Sequence, residues 1–135
     1  AVVLLEPTSP FRTPAIIDDC IRLLELDDCG SVITVTQLER NPRYIFSVSG
    51  SAAEFYVKKP HINFKQRQDF EYLKRLNGCV YGLRPEHIKN GHLVVEPVKV
   101  VEMNAEASIN IDTPLDLRIA ELTAEFLVAR NLWHS

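Results

Sequence analysis

Apolar residues occur in blocks along the chain, and the first blocks predict a strand, a helix and a second strand. Residues 1–5 (AVVLL) form an unbroken apolar run, which is typical of a strand buried on both faces of a parallel sheet. Between Pro14 and Leu26, apolar residues recur with helical spacing, and Thr13 stands in the N-cap position. Residues 31–36 (SVITVT) predict a second, β-branched strand. This order indicates a βαβ unit of a parallel α/β sheet.

The middle of the chain does not continue this alternation of strand and helix. Residues 44–49 and 54–57 predict a short hairpin, and residues 58–75 are polar and basic. Thr113 and Pro114 then repeat the pattern of a cap followed by proline, with Asp116 in the capping-box position. The remaining predicted elements are a strand at 79–83, a short helical turn at 85–89, an extended segment at 93–103 with a break at Pro97, and a helix from Pro114 to about Asn131.

Composition and charge narrow the class of protein. A chain of 135 residues with 46% hydrophobic residues has the size and composition of one globular domain. The net charge of −3 argues against nucleic acid as a partner, and no apolar run approaches the roughly 20 residues of a membrane helix. Cys20, Cys29 and Cys79 are widely spaced, which favours reduced thiols in the cytoplasm over a disulfide framework or a zinc site.

Two polar segments are the first candidates for chemistry. The loop at 6–12 (EPTSPFR) follows a predicted strand, and the carboxyl ends of strands are where open α/β sheets bind ligands. The alternative is a turn stiffened by prolines in which Arg12 is simply solvated. Arg67, Gln68 and Arg75 carry donors that suit carboxylate or phosphate, although charged loop residues are more often only solvated.

A third candidate is Asp112, which lies between an extended segment and a helix start. A carboxylate there can hold Mg²⁺ against phosphate oxygens, because Mg²⁺ typically takes one or two carboxylates and keeps waters. The same charge can instead serve the helix dipole, and both interpretations stay open. The chain contains no GxGxxG or P-loop, its histidines lack metal-ligand spacing, and no serine or cysteine lies in a nucleophile elbow.

Taken in order, three segments resemble the acylneuraminate cytidylyltransferases, the CMP-sialic acid synthetase family. Residues 4–13 (LLEPTSPFRT) resemble the family's LLQPTSPLRT, residues 67–81 (RQDFEYLKRLNGCVY) its RQ…NGAIY segment, and residues 108–121 (SINIDTPLDLRIAE) its SIDIDTELDLxxAE. The resemblance implies a single α/β domain over residues 1–135, with the Rossmann-like, three-layer nucleotidyltransferase fold. It also implies a small dimerisation excursion at about 41–76 and a homodimer.

The family couples CTP to a nonulosonate, an α-keto acid sugar, and releases pyrophosphate with Mg²⁺ as cofactor. By position, Glu6 matches a sugar-contacting glutamine, and Tyr81 matches a tyrosine of the sugar pocket. Arg67 matches an arginine that reaches a sugar site, often that of the partner subunit, and Asp112 matches the second metal-binding aspartate. The other residues expected to contact substrate are Ser9, Arg12, Gln68, Arg75 and Asn77.

The departures from the family pattern concern substrate, metal and nucleotide. Glu6 stands in place of glutamine, and Val94 and Val95 stand where some members carry a phenylalanine pair beside the N-acyl group. These departures make a related sugar, such as legionaminate or pseudaminate, as good a candidate as N-acetylneuraminate. Asn110 replaces the first metal aspartate, so an oxygen ligand is kept and a charge is lost. The family's basic CTP loop, which resembles ARGGSKGIxxKN, has no match, so the expectation is a truncated fold whose residues 1–5 form an apolar edge without a partner in this chain.

Two classes of function follow. One is a sugar cytidylyltransferase represented by its C-terminal part, with this chain alone inactive. The other is a non-catalytic sugar-binding or dimerisation module derived from that family. A relative that activates 3-deoxy-octulosonate fits less well, because the patterns at 67–81 and 108–121 match the nonulosonate enzymes better.

Overall fold

The structure, a computed structural model, describes residues 1–26, 28–57 and 73–130. The chain divides into two compact units, a larger one made of residues 1–36 with the chain from Leu76 onward, and a smaller one at Gln37–Arg75. Its elements are β1 (Val2–Leu5), α1 (Pro14–Leu26), β2 (Ser31–Gln37), β3 (Phe46–Ser49), β4 (Ala52–Phe55), β5 (Lys74–Leu83), α2 (Pro85–Lys89), β6 (Val98–Glu102) and α3 (Pro114–Ala129), with 3-10 turns at Pro42–Tyr44 and Glu106–Ser108.

The larger unit is built on a four-stranded sheet with the strand order β1-β5-β2-β6. β1 runs antiparallel to β5, with Leu4 opposite Tyr81, whereas β2 runs parallel to β6, with Ser31 opposite Val98. The sheet is therefore mixed, and β5 lies between the two strands of the predicted βαβ unit. A mixed α/β sheet is compatible with a Rossmann-like fold, and the expectation of a purely parallel sheet is wrong.

β1 differs from its prediction in burial and in pairing. Val2, Leu4 and Leu5 are 36–38% exposed, so the strand is not buried on both faces. The expectation of a strand without a partner in this chain is also wrong, because β5 pairs with it along one side. β1 is one of the two outer strands of the described sheet. An outer strand has a neighbouring strand on one side only, so its apolar side chains are less buried than those of a central strand.

The core of the larger unit lies between α1 and the centre of the sheet. Cys20 and Leu24 of α1 pack in one cluster with Val32 of β2 and Val80 of β5. The three cysteines are all free and buried, as their spacing predicts. Burial, with smaller contributions from Asp19 and Cys79, raises the pKa of Cys20 to about 11, so this thiol stays protonated and unreactive at neutral pH.

The smaller unit contains the predicted hairpin and overlaps the predicted excursion at 41–76. β3 and β4 pair antiparallel, and Phe46 lies opposite Phe55 with ring centroids 4.5 Å apart. The turn between them uses Gly50 at a φ of 62°, a left-handed conformation that favours glycine. Among the described residues, no helix of either unit is long and apolar enough to cross a membrane.

Candidate functional site

The loop at 6–12 leaves the carboxyl end of β1 and is braced against β5 by Arg12. Nη1 of Arg12 donates to the carbonyl oxygen of Glu6 at 2.9 Å and to that of Cys79 at 3.1 Å. The backbone N–H of Ser9 also donates to the Glu6 carbonyl, at 3.3 Å. Charged donors make stronger hydrogen bonds than neutral ones, so the guanidinium holds the shape of the loop. Contact of Arg12 with a substrate stays a prediction.

Glu6 and Tyr81 form the next part of the site. The pairing of β1 with β5 places Leu4, two residues before Glu6, opposite Tyr81. Burial, and then the negative charge of Glu6, raises the pKa of the Tyr81 phenol above its usual value of 10.0. The phenol is therefore neutral at physiological pH and donates or accepts a hydrogen bond. A carboxylate beside a neutral phenol suits a ligand that is rich in hydroxyl groups.

Ser9 is the residue of the loop with hydrogen-bonding capacity to spare. Its side chain is buried, with 3% exposed, and its hydroxyl has no hydrogen-bond partner among the described residues. A buried polar group without a partner costs about 1–3 kcal/mol of stability. Such groups are unusual enough in folded proteins to call for an explanation. Ser9 is therefore the side chain of the loop that would gain most from a hydrogen bond to a ligand.

Asp112 is connected to the same loop through the backbone. The N–H of Ile111 donates to the carbonyl oxygen of Thr8 at 2.9 Å, which joins the segment before α3 to the loop after β1. Nδ2 of Asn110 donates to Oδ2 of Asp112 at 2.7 Å, and Asp112 itself is exposed. The carboxylate thus has a defined orientation at the edge of the sheet where Glu6, Ser9 and Tyr81 lie.

The start of α3 fixes the other side of Asp112. Thr113 and Asp116 form the predicted capping box, in which the Thr113 side chain accepts from the backbone N–H of Asp116 and the Asp116 carboxylate accepts from that of Thr113. The hydrogen bond from the Thr113 hydroxyl is the main reason that the pKa of Asp116 lies below its usual value. Asp112 therefore lies between a tied loop and a capped helix.

The donor atoms near Asp112 suit a weakly held cation. Among the described residues, no group of three or more histidines, cysteines or acidic residues is placed to hold a metal ion. Asn110 and Asp112 offer an amide oxygen and a carboxylate, a set that fits Mg²⁺ when waters and phosphate oxygens complete its shell. Because the Asn110 amide already satisfies one Asp112 oxygen, the pair keeps its geometry without a cation.

The other predicted site residues lie elsewhere or outside the described residues. Arg75 belongs to the smaller unit, where its guanidinium lies 3.7 Å from the Glu39 carboxylate in an exposed and therefore weak ion pair. Arg67 and Gln68 lie outside the described residues, so their roles stay predictions. Asn77 belongs to the larger unit but is buried, with 6% exposed.

Sequence reasoning missed the residues that surround Asn77. The amide of Asn77, expected beside the substrate, is instead bonded within the protein to Thr34 and Ser108, among others. Both partners are buried polar residues, and neither was a candidate. The available signal was the hydroxyl of Thr34 between Ile33 and Val35 in the middle of a predicted strand, because a buried hydroxyl requires a partner.

Comparison with known proteins adds one relative to this geometry. No family model matches the chain. The chain is similar to the CMP-N,N'-diacetyllegionaminic acid synthase of Legionella pneumophila, with 30% identity over 133 residues that cover 93% of this chain and 54% of that protein. The chain thus spans about half the length of the curated relative that it matches. The resemblance to the CMP-nonulosonate synthases is thereby confirmed.

Proposed function

We propose that this chain supplies the sugar-binding and metal-binding side of a CMP-nonulosonate synthase of the three-layer nucleotidyltransferase fold, which couples a sialic-acid-like sugar to CTP and releases pyrophosphate in the cytoplasm. The observation that carries the proposal is that the segments bearing Glu6 and Asp112 meet at one end of the sheet, with Tyr81 beside Glu6. The hydrogen bond from Ile111 to Thr8 joins the two segments involved. Similarity to a synthase of this class over nearly the whole chain supports it.

The proposed reaction is a nucleotidyl transfer. The anomeric hydroxyl oxygen of the sugar attacks the α-phosphorus of CTP, and the bond from that phosphorus to the oxygen bridging to the β-phosphate breaks. Pyrophosphate leaves with the bonding electron pair, and the hydroxyl proton passes to solvent. Such transfers are catalysed mainly by positioning and by charge neutralisation. The residues described here therefore act by orienting the sugar and by placing one carboxylate near the phosphates.

The roles of individual side chains follow from their chemistry. The Glu6 carboxylate accepts hydrogen bonds from sugar hydroxyl or amide groups, and the neutral Tyr81 phenol donates one. Asp112 and the amide oxygen of Asn110 would hold Mg²⁺, which when bound neutralises phosphate charge. Arg12 keeps the loop closed against β5, so that Glu6 and Ser9 hold their positions.

Glu6 bears on the choice of sugar. A carboxylate only accepts hydrogen bonds, whereas the family's glutamine both accepts and donates. We therefore propose that the sugar presents a donor to Glu6, as a nonulosonate with an additional acylamino N–H does. A legionaminate-like substrate meets this requirement through its amide N–H, and N-acetylneuraminate meets it through a hydroxyl group.

The smaller unit is the proposed homodimer contact. Its hairpin exposes more apolar side chains than a two-stranded ribbon can bury alone. These are Tyr44, Ile45, Phe46, Val48, Phe55 and Tyr56, each at least 40% exposed. A second copy covering this hairpin would remove them from water, and Arg67 would then act on the partner's site. Light scattering that gives a mass of one subunit at micromolar concentration would contradict this part of the proposal.

The alternative is a sugar-binding module without catalysis. It is favoured by Asn110, which removes one carboxylate from the metal pair and engages the other in a hydrogen bond. The two functions differ in one respect, since only the enzyme consumes CTP. Sugar binding alone does not separate them.

The test is CTP-dependent release of pyrophosphate by the full-length protein that contains this chain, with Mg²⁺ and a panel of nonulosonates. We expect release with a diacylamino sugar, and a loss of about 10²-fold or more in kcat for Asp112→Asn. Asp18→Asn, an exposed aspartate of α1, is the matched control and should keep the rate. Absence of release with every sugar, or equal rates for the two variants, contradicts the proposed enzyme.

A further inference from the structure

Asn77 uses the whole hydrogen-bonding capacity of its side chain inside the protein. Its Oδ1 accepts from Oγ1 of Thr34 at 2.6 Å and from the backbone N–H of Cys79 at 3.2 Å. Its Nδ2 donates to Oγ of Ser108 at 2.9 Å and to Sδ of Met103 at 3.2 Å. An amide side chain has two donors and two acceptor positions, and all four are engaged.

One branch from Asn77 leads to the segment that carries Asp112. Ser108, which accepts from Asn77, donates its own hydroxyl to the carbonyl oxygen of Asn104 at 2.7 Å and so fixes the turn at Glu106–Ser108. Ile111 follows three residues later, and its N–H bonds to Thr8. The position of Asp112 relative to the sheet is therefore set largely by the bond between Asn77 and Ser108.

The other branch leads to the loop that carries Glu6. The backbone N–H of Cys79 donates to Asn77, and the carbonyl oxygen of Cys79 accepts from Arg12. Arg12 in turn holds the carbonyl oxygen of Glu6. Gly78, between Asn77 and Cys79, has a φ of 74°, which lets the chain turn so that both neighbours reach these partners.

We propose that Asn77 is a positioning residue that sets the spacing between Glu6 and Asp112 across the candidate site. Each of its branches ends on a segment that carries a proposed ligand-binding side chain. An aspartate at this position would lose both donors and bury a charge, and a leucine would remove the bonds that Asn77 makes to Thr34 and Ser108. The effect of Asn77 on catalysis rests on the proposed function, whereas its hydrogen bonds to the two segments do not.

The test is amide hydrogen exchange of the full-length protein in two variants that each remove one bond of Asn77. Ser108→Ala removes the branch toward Asp112 together with the bond to the Asn104 carbonyl. Thr34→Val, of nearly equal size, removes the bond on the β2 side together with the bonds of Thr34 to the Val80 backbone. We expect exchange of the Ile111 amide to rise about fivefold in Ser108→Ala, the factor for one lost hydrogen bond of typical strength, and to stay unchanged in Thr34→Val. Ser108→Cys, which weakens the acceptor at similar size, serves if Ser108→Ala does not fold.

The kinetic readout separates positioning from general stability. Ser108→Ala should lower kcat with the KM for sugar within about twofold of the parent, because the groups remain but their spacing changes. Equal acceleration of exchange at Ile111 in both variants, or none in Ser108→Ala, overturns the positioning role. A protein that shows the expected exchange but no activity with any nonulosonate keeps the positioning role and loses the proposed reaction.

Discussion

The two ends of the larger sheet are held by serine side chains in different ways. At the amino ends of β2 and β6, Oγ of Ser31 donates to the carbonyl oxygen of Val95 and accepts from its N–H, both at 2.9 Å. The N–H of Gly30 donates to the Pro97 carbonyl at 2.9 Å. At the opposite end, Ser108 is bonded to the side chain of Asn77.

The difference lies in what each arrangement leaves available. The clamp between Ser31 and Val95 joins a hydroxyl to backbone groups at the amino ends of β2 and β6. The network around Asn77 instead supports the two segments that carry Glu6 and Asp112. Among the described residues, neither carboxylate makes a hydrogen bond that holds the backbone in place. Hydrogen bonds to the backbone at one end of the sheet stabilise the fold. The buried side chains at the other end hold exposed groups at a fixed spacing, as a binding site requires.

The largest expected effect is on stability at the amino end. A Cβ on Gly30 would lie 2.5 Å from the Val95 carbonyl oxygen and 2.8 Å from that of Glu96, and backbone atoms have little freedom to move. We expect Gly30→Ala to lower the free energy of unfolding by about 3 kcal/mol in urea titration. Gly50→Ala, with a φ of 62° but nothing within 4 Å of its Cβ, is the control and should cost only about 1–2 kcal/mol. Equal losses would mean that the close approach at Gly30 is absent.

The next effect tests the clamp itself. Ser31→Ala removes both side-chain hydrogen bonds to Val95, and we expect a loss of about 1–2 kcal/mol in the free energy of unfolding. Ser47→Ala, whose exposed hydroxyl makes one long bond of 3.4 Å to Glu54, should change it by less than about 0.5 kcal/mol. Kinetic constants of Ser31→Ala measured well below its melting temperature should equal those of the parent. A selective loss of kcat would show that the two ends of the sheet are not independent.

At the end of the sheet that carries the candidate site, a substitution of Asn110 should change cation affinity more than it changes the stability of the fold. Asn110→Asp replaces the amide donor to Asp112 by a second carboxylate, so the two charges repel until a cation binds between them. We expect affinity for Mn²⁺, measured by isothermal titration without nucleotide, to rise about tenfold or more. Glu106→Gln is a control on the same segment and should leave Mn²⁺ affinity unchanged. Equal affinity of Asn110→Asp and the parent would remove this pair from the proposed metal site.

The smallest expected effect is on the melting temperature at acidic pH. The pKa of Asp116 is lowered in the folded protein, mainly by the hydrogen bond from Thr113, so its contribution to stability is present above its unfolded value of 3.8 and is lost as the pH falls through the lower folded value. Asp116→Asn should therefore differ from the parent in melting temperature at pH 6 and approach it below pH of about 3. A constant difference over this range would contradict the capping role.

The helices and the hairpin were predictable because their signals are local. Thr113, Pro114 and Asp116 predict a capped helix, and α3 begins at Pro114 as expected. β5 runs over Lys74–Leu83, longer than the predicted 79–83, and lies between β1 and β2, which are distant from it in sequence. Such pairing overrides local propensity.

The candidate site was predictable only in part. The loop at 6–12 and Asp112 follow strands, and the carboxyl ends of strands in such sheets are where ligand-binding loops gather. The burial of Asn77 was not predictable, because its partners Thr34, Met103 and Ser108 come from segments that the fold brings together. A lone asparagine before a glycine equally predicts an exposed turn.

The most direct test of the central claim, that one end of the sheet binds ligand and the other does not, is NMR chemical-shift mapping. The ¹⁵N-labelled full-length protein is titrated with CTP, Mg²⁺ and a diacylamino nonulosonate. We expect shifts for the amides of Glu6, Ser9, Tyr81 and Asp112, with those of Ser31 and Val95 unchanged. Shifts confined to Ser31 and Val95, or no shifts near Glu6 and Asp112 at saturating ligand, would contradict it.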